Sequence, residues 1–551
     1  MPQRNPRIIA AAAGTAVALA AAAGCALPKP YATPAPNAAG GRSYHVSPDG
    51  DDKADGLTPD TAWRTLKRAD SVKFKAGDRL RLKAGARFRG RLTIGAGDAG
   101  NPRKPVIIES YGKGRATIAP AGTRGIEVYN TAGVEVRNLV VEGDDDTFDD
   151  HEGIVFFNDL PGGKKLAHVR VSGVNVSGFQ NGIRLGGGRS GSGFRDVVVS
   201  DSVAHANKDA GVVSDGPAFN ATRPRYAHEK VTVSRVKAYS NLGDPGAEDR
   251  NTGSGIVLGS VRRGTVQHSV AHDNGARSSA EAVEGPAGIW TFDSTRMTLQ
   301  RNVSYANHTG SEVDGGGFGL DNNVSSSVMQ YNLSYRNDGA GFLAYTAVRN
   351  KAHTGNTVRF NISRDDARKL STYAGIVAFG TRVNDLSIYH NTVSITANDG
   401  VRAPALRLHD GLRNVTVRNN VFVTDGAPVV YAESAYPAEQ VRLQGNAYFS
   451  SGPWALRWGP GAYADLRAWR GRAGQEQRAG SPTGTNADPC LALVPSKGAT
   501  PAALVPRCAA RVVSGAMDLR AAGIDPGPVD YFGARLRTSA SIGAVQSAGT
   551  D

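Results

Sequence analysis

The chain has 551 residues, enough for one large domain or two ordinary ones, and 68 of them are glycine. Its formal net charge is +14, yet no long run of Lys or Arg carries that charge. This distribution argues against a dedicated nucleic-acid-binding arm, so we expect no nucleic-acid partner. The high glycine content, without helix-favouring runs, indicates a chain with many turns.

Residues 1–25 have the three parts of an export signal. Arg4 and Arg7 form a basic start, residues 8–23 an apolar stretch, and small residues follow. The stretch is too short and too rich in Ala for a membrane span. The segment AAGC, which ends at Cys25, resembles the lipobox of bacterial lipoproteins, in which the cysteine is lipidated. Ala22 stands where the lipobox usually has Leu, so secretion without a lipid remains an alternative.

Residues 26–42 are rich in Pro and Ala and are predicted to be a tether. Export would place the protein outside the cell or on its surface, with a lipid on Cys25 as its only membrane contact, and we expect a monomer. In that oxidising compartment Cys490 and Cys508 are predicted to pair, the alternative being two buried thiols. A bridge closing so short a loop would stabilise the protein by about 3 kcal/mol.

A glycine-led strand pattern repeats from about residue 125. GIEVYN begins at Gly125 and recurs, for example, as GIVLGS at Gly255, GIWTFD at Gly288 and GFGLDN at Gly317. The repeats follow one another at roughly 24 to 44 residues, a spacing typical of solenoids. Each unit also holds a second apolar alternation, such as VEVRNLVVEG, and a period of two indicates strands.

Asparagine recurs at matching places in these units. Asn tolerates the left-handed backbone of a tight bend, and stacked Asn amides can bond from coil to coil. Two strand runs per unit, Asn at the bends and no amphipathic helices predict an all-β fold. That fold is a right-handed parallel β-helix over residues 43–450, including an N-terminal cap, with a C-terminal capping segment over residues 451–551. The two Asn series are Asn302, Asn332, Asn361, Asn391, Asn420 and Asn446, and Asn207, Asn241, Asn274, Asn307 and Asn337.

The repeats over about residues 43–450 resemble the pectate-lyase-like β-helix superfamily. YHVSPDGDDKADGLTPDTAWRTLKRAD, from Tyr44, is similar to the N-terminal cap of many secreted β-helix polysaccharide enzymes, with TLKRAD as a short helix. DYFGARLRTSASIGAVQ, from Asp530, is similar to the closing segment of such proteins. The resemblance implies a polysaccharide as the substrate.

Strand alternation sorts the residues of each glycine-led strand. Counted from the glycine, positions one and three face inward, and positions two and four face outward. The outward set mixes rings with charges, as a sugar-binding groove does, because sugar C–H faces stack on rings and charged groups bond hydroxyls. We expect Trp290, Phe292, Tyr345, Arg184 and Asp215 to bind substrate, the alternative being that loops cover the rings. The outward residues are Glu127, Tyr129, Phe157, Arg184, Asp215, Trp290, Phe292, Asp321, Tyr345, Phe379, Arg407 and His409.

Three aspartates cluster in this pattern. Asp314 and Asp338 each lie three residues before a leading glycine, so we expect them about one strand spacing apart, with Asp321 between them. Like charges so close favour a protonated member or a bridging cation. The trio is therefore predicted to be catalytic in acid/base glycoside cleavage, the alternative being ordinary Asp-Gly turns. Asp209 and Asp215 are the next candidates.

DGGGFGLD and NDGAGF also resemble the calcium-binding turns of family nine polysaccharide lyases. The resemblance implies that Asp314 and Asp338 would be metal ligands and Ca²⁺ the cofactor. However, the catalytic Lys of that family falls near Asp321, and Ala340 and Phe342 stand where later carboxylates are expected. The sequence therefore favours hydrolysis of a polysaccharide. A Ca²⁺-dependent lyase and a non-catalytic glycan-binding solenoid remain the alternatives.

Overall fold

The structure is a computed structural model that describes residues 40–98, 100–143, 149–347, 353–380, 382–491, 512, 515–537 and 541–546, all within the unit Asn37–Asp551. The predicted signal peptide, Cys25 and nearly all of the tether lie outside these residues. Cys490 is disulfide-bonded. Its predicted partner Cys508 also lies outside the described residues, so this pairing stays a prediction. No helix in the described ranges is long and apolar enough to cross a membrane.

Three parallel sheets wind around one core, so the predicted parallel β-helix is confirmed. Each coil contributes one strand to each sheet, and the glycine-led strands make up sheet 1. Sheets 1 and 2 have 14 strands each and sheet 3 has 13. The last strand of sheet 1, Gly461–Tyr463, runs antiparallel to Leu456–Trp458, which ends the parallel series in that sheet.

The strand bounds are as follows. Sheet 1 contains Leu92–Ile94, Ile126–Tyr129, Asp149–Asn158, Phe179–Gly187, Ala210–Ser214, Ser254–Gly259, Ala287–Phe292, Gly316–Leu320, Phe342–Tyr345, Ile376–Phe379, Leu406–Leu408, Val430–Ala432, Leu456–Trp458 and Gly461–Tyr463. Sheet 2 contains Ser43–Val46, Arg79–Lys83, Val106–Tyr111, Val134–Arg137, Lys165–Ser172, Gly193–Ser200, His228–Ser234, Val261–Gln267, Thr298–Gln300, Val328–Gln330, Thr357–Arg359, Ser387–Tyr389, Val415–Arg418 and Val441–Gln444. Sheet 3 contains Arg87–Arg89, Ala116–Ala119, Leu139–Glu142, Asn175–Ser177, Val203–His205, Lys237–Tyr239, Val270–His272, Val303–Tyr305, Leu333–Tyr335, Ile362–Arg364, Thr392–Ile395, Val421–Thr424 and Ala447–Ser450.

The inward and outward faces of sheet 1 follow the predicted alternation. Trp290 and Tyr345 are partly exposed on its outer face, whereas their strand neighbours Ile289 and Phe342 are buried. The inner residues of successive strands stack into one apolar column, which fixes the register of every coil. The outer face is left free to carry a site.

Two ladders of buried asparagines confirm the predicted coil-to-coil bonding. In each ladder the Nδ2 of one Asn donates to the Oδ1 of the next, at 2.7–3.1 Å. The final member of each ladder only has to accept a hydrogen bond, and there a carboxyl group replaces the amide. Asp366 ends one ladder and Glu476 the other. Burial raises the pKa of Asp366 to about 7, although bonds from Ser363 and Asn337 oppose this.

The predicted reason for asparagine at these bends is wrong. The left-handed backbone belongs to the residue before each ladder Asn, as at Arg301, Tyr331 and Phe360, with φ of 54°, 57° and 50°. The asparagines that follow, such as Asn302, are not left-handed. Asparagine is required at these positions because its buried side-chain amide can donate one hydrogen bond and accept another.

Replacing Asn361 with Ala is expected to destabilise the protein by about 2 kcal/mol. Asn361 Nδ2 donates to Met329 O at 2.8 Å, and its Oδ1 accepts from Asn332 N at 3.0 Å. Alanine would leave the buried Asn332 N–H without its partner, remove the bond to Met329 O and interrupt the ladder. Denaturant unfolding would measure the loss, with Asn220→Ala on an exposed turn as the control, expected to cost less than about 0.5 kcal/mol. Equal effects of the two changes would contradict this account.

Two short α-helices lie near the ends of the described chain. Leu66–Asp70 lies within the predicted TLKRAD helix, where Thr65 Oγ1 accepts from Arg68 N. Leu466–Ala473 begins after Asp465, whose side chain caps its start, and ends at left-handed Gly474. The remaining elements are the 3₁₀ turns Pro161–Gly163 and Arg520–Ala522 and the hairpin strands Gln477–Arg478 and Ser481–Pro482.

The C-terminal segment takes two different paths. The ring of Trp469, on the second helix, packs edge-on against Tyr448 and Trp458 with centroids 5.8 and 5.5 Å apart. The later described residues instead run back along the outside of sheet 3, where Ile542 packs in one cluster with Leu333. A capping function for residues 451–551 stays a prediction, and part of this segment covers the side of the coil.

Candidate functional site

A cavity of about 860 Å³ lies on the outer face of sheet 1. Its floor extends over seven adjacent strands, from Phe179–Gly187 to Ile376–Phe379, which corresponds to about 29 Å at ~4.8 Å per strand. Turns between sheets form its walls, including the exposed Val283 and Glu284. The volume lies within the range typical of ligand sites.

Most of the predicted site residues meet in this cavity. The strand alternation correctly assigned the strand residues among them to one surface, because the coils stack in register. Their functional roles stay predictions. The predicted residues that line the cavity are Arg184, Asp209, Asp215, Trp290, Phe292, Asp314, Asp321, Tyr345 and Phe379.

Asp314 lies at the acidic centre of the cavity in a left-handed conformation, with φ of 60°. Its carboxyl group accepts from Gly285 N at 3.0 Å and from the Tyr373 hydroxyl at 3.2 Å. Burial raises the pKa of Asp314 to about 6; these two bonds oppose the rise, and the negative charge of Glu284 adds to it. Asp314 is therefore held in a fixed orientation and titrates near neutral pH.

Asp321 extends from the end of the Gly316–Leu320 strand into the same space. Burial raises its pKa well above the ordinary value, and the negative charge of Asp314 raises it further. The Asn322 N–H, which donates to Asp321 Oδ1, opposes the shift. Two interacting carboxyl groups with unequal environments lose their protons in separate steps. Each carboxyl group of this pair therefore holds its proton to a higher pH than an ordinary aspartate does, because the pKa of both is raised.

A side pocket of about 20 Å³ adjoins the two carboxyl groups. Asp314, Asp321, Tyr373, Trp290 and Gly319 all line it. A Cβ at Gly319 would come within 3.1 Å of Trp290 Cβ, so glycine keeps this part of the floor open. The pocket has room for about one water molecule between acidic groups.

Two aromatic pairs flank the acidic centre. Trp290 lies 5.4 Å from Phe292, and the indole Nε1 donates to Ser254 Oγ at 3.1 Å, which fixes the ring. On the other side of the Gly316–Leu320 strand, Tyr345 lies 5.1 Å from Phe379. The rings are partly exposed, so they offer apolar surface next to the carboxyl groups.

The far end of the cavity is polar and internally paired. Arg184 donates to Asp215 Oδ2 at 2.7 Å and to Glu152 Oε1 at 2.6 Å. Both ion pairs keep the pKa of Arg184 above its usual value, although burial opposes them. The predicted substrate ligands Arg184 and Asp215 therefore bind each other.

The structure corrects the predicted position of the Asp338 carboxylate. Asp338 does not line the cavity: its Oδ2 accepts from Thr309 N at 3.2 Å, and its Oδ1 lies 3.3 Å from His308 Nδ1. The two backbones do stack on adjacent coils as predicted, since Gly339 N donates to Gly315 O at 3.1 Å. Asp314 is left-handed and Asp338 is not, so the two side chains leave their coils in different directions. Stacked backbone positions therefore do not give the same carboxylate position.

Sequence reasoning missed several cavity residues. Tyr373, Glu284, Asp293 and Asn251 line it from turns that follow no strand period, so no alternation could assign them. Over the described ranges, no group of three or more His, Cys, Asp or Glu side chains is arranged to hold a metal ion. The carboxylates of Asp314 and Asp338 bond to different partners, and Ca²⁺ binding by this pair stays a prediction.

No protein-family model matches this chain, and no curated protein matches it. Among solved structures, the GH136 lacto-N-biosidase from Eubacterium ramulus is similar, with a TM-score of 0.51 and 16% identity over 74% of this chain and 67% of that one. XylC in complex with xylose is similar with a TM-score of 0.51 and 11% identity, over 92% of this chain and 98% of that one. At such identities the likeness shows the fold alone, so the chain is a parallel β-helix protein.

Proposed function

We propose that the protein is an exported glycoside hydrolase that cleaves a polysaccharide in the sheet 1 cavity. The carboxyl pair Asp314 and Asp321 carries the proposal. Glycoside hydrolysis needs one carboxylic acid and one carboxylate beside the same bond, and two interacting carboxyl groups whose pKa values are raised in different environments are suited to supply both.

In this proposal Asp321 is the general acid. It donates its proton to the glycosidic oxygen as the bond from that oxygen to the anomeric carbon breaks. Asp314 acts as the carboxylate on the other side of the reaction, taking up the proton of the water that adds to the anomeric carbon or stabilising that carbon directly. Tyr373 and Gly285 keep the Asp314 carboxylate in place through their hydrogen bonds.

The aromatic pairs supply the sugar-binding surface of the proposed enzyme. Trp290, Phe292 and Tyr345 present ring surface on which pyranose C–H faces stack. The similar structures are those of a lacto-N-biosidase and of a protein bound to xylose, which supports a carbohydrate ligand. The export signal predicted for residues 1–25, with lipid on Cys25, would give the enzyme access to extracellular polymers.

A reducing-end assay over plant, algal and microbial polysaccharides tests the proposal. A hydrolase releases reducing ends without forming an unsaturated sugar. Release together with the ultraviolet absorbance of unsaturated uronates would instead identify a lyase. Retention of a glycan without release of reducing ends would identify a binding protein, and either outcome would overturn the hydrolase proposal.

Replacing Trp290 with Ala is expected to lower kcat/KM about tenfold, the equivalent of about 1.4 kcal/mol of sugar stacking. Tyr129→Ala is the matched control, because Tyr129 is also an exposed ring on the outer face of sheet 1 but lies outside the cavity. This control should stay within about twofold of the parent enzyme. A similar loss in both variants would show that the effect does not come from the cavity.

A further inference from the structure

The cavity carries the opposite charge to the chain. Among the described residues that line it, Arg184 is the one basic residue, and its guanidinium is already paired with Asp215 and Glu152. The whole chain has a formal net charge of +14, so an acidic cavity does not follow from composition. The acidic lining residues are Asp209, Asp215, Glu284, Asp293, Asp314 and Asp321.

This lining disfavours an anionic sugar. A uronate carboxylate in the cavity would face Glu284 and the ionised form of Asp314, and like charges at such range repel each other. No described lining residue offers an unpaired cation to offset that repulsion. Low-dielectric walls strengthen the field of one charge sign within a cleft, so a ligand of the opposite sign is favoured.

Asp209 adds to the negative charge at one wall of the cavity. Its Oδ2 accepts from Gln180 Nε2 at 2.8 Å and from Arg250 Nε at 3.3 Å, whereas its buried Oδ1 has no hydrogen-bond partner. Burial raises the pKa of Asp209, although the Arg250 charge opposes this. A buried acceptor without a donor is costly, and a positive charge of a ligand in the cavity would lower that cost without a direct bond to Oδ1.

We infer that the cavity selects glycans that carry free amino groups, binds neutral glycans less well, and rejects uronic acids. The inference deepens the proposed function, because it rests on the cavity being the sugar site. The ammonium group supplies the positive charge that the acidic lining favours. The aromatic pairs would hold the sugar rings as for any pyranose.

Three tetrasaccharides with one β-1,4-linked gluco backbone test this inference on the full chain. They are the chitosan form with amines, the cellulose form without charge, and the C6-oxidised cellulose form with carboxylates. Calorimetric titration at low ionic strength should give about tenfold tighter binding of the amine than of the carboxylate form, with the neutral form between them. Added salt should reduce the difference. Equal or tighter binding of the carboxylate form, or no binding of the amine form, would overturn the inference.

A charge reversal at the cavity mouth separates a local effect from overall charge. Glu284→Lys should weaken binding of the amine form about tenfold and strengthen binding of the carboxylate form. Glu281→Lys is the matched control, because Glu281 is exposed on the same turn but does not line the cavity. It should change either affinity by no more than about twofold. Identical shifts in both variants would contradict selection within the cavity.

Reducing-end release from the same three ligands keeps the two proposals apart. Amine-selective binding without release by the parent protein, on these and on the screened polymers, would remove the hydrolase proposal and leave the ligand preference standing. Cleavage of the carboxylate form as fast as the amine form would overturn the ligand preference and leave the hydrolase proposal standing.

Discussion

Asp321→Asn is expected to lower kcat by about a hundredfold or more, and Asp314→Asn to do the same, on any substrate that the parent enzyme cleaves. Asparagine keeps the size of each side chain but can neither give up an acidic proton nor accept one. The double variant should lose little more than either single variant, because the two groups act as a unit. Initial-rate measurements at saturating substrate would provide these values.

Asp338→Asn is the control within the originally predicted trio. Its carboxylate contacts His308 and Thr309 outside the cavity, so turnover should stay within about twofold of the parent value. Thermal unfolding of each variant would show that lost activity is not lost folding. Full activity in both the Asp314 and the Asp321 variants would remove this site and turn attention to Asp209 and Asp215. A large loss in the Asp338 variant alone would restore it to the site.

The sequence was sufficient to predict the structure of the repetitive part of the molecule. Period-two alternation and the recurring asparagines depend only on neighbours in register, so one rule served every coil. That rule placed Trp290 and Tyr345 on the outer face and put Asp321 in the cavity. The recurring asparagines also predicted the amide ladders. The left-handed backbone expected for these asparagines, however, belongs to the residues before them.

The turns could not be predicted in the same way. Their lengths and backbone conformations differ from coil to coil, so residues on stacked backbones need not direct their side chains to the same place, as Asp314 and Asp338 show. Tyr373 reaches Asp314 from a turn 59 positions later, a contact for which no local pattern exists. The pairing of Arg184 with Glu152 joins separate coils in the same manner. These contacts determine which side chains hold a proton and which charges are unpaired. The chemistry of the site therefore could not be predicted from the sequence alone.

Protonation of Asp314 as the pH falls through about 6 is expected to relieve a cost to folding while it slows the proposed enzyme. The ordinary pKa of Asp314 is 3.8 and its folded value is about 6, so the folded state binds the proton more tightly. The contribution of Asp314 to stability therefore rises as the pH falls from above 6 towards 3.8, and at higher pH the ionised, buried group costs up to about 3 kcal/mol. Asp321, whose pKa is also raised, acts in the same direction.

Asp314→Asn should remove that cost, because an amide stays neutral at every pH; its oxygen can accept from Gly285 N, and its NH2 group can donate to the Tyr373 hydroxyl. The left-handed backbone at this position also suits Asn. Denaturant unfolding should therefore show the variant to be more stable than the parent above pH 6, with the difference vanishing in acid. The subtraction cancels other titrating groups such as Asp366. Parent kcat/KM should fall about tenfold per pH unit below 6, as Asp314 loses its charge. A variant that is less stable than the parent above pH 6 would show that the Asp314 carboxylate stabilises the fold, and would argue against the raised pKa on which its catalytic assignment depends.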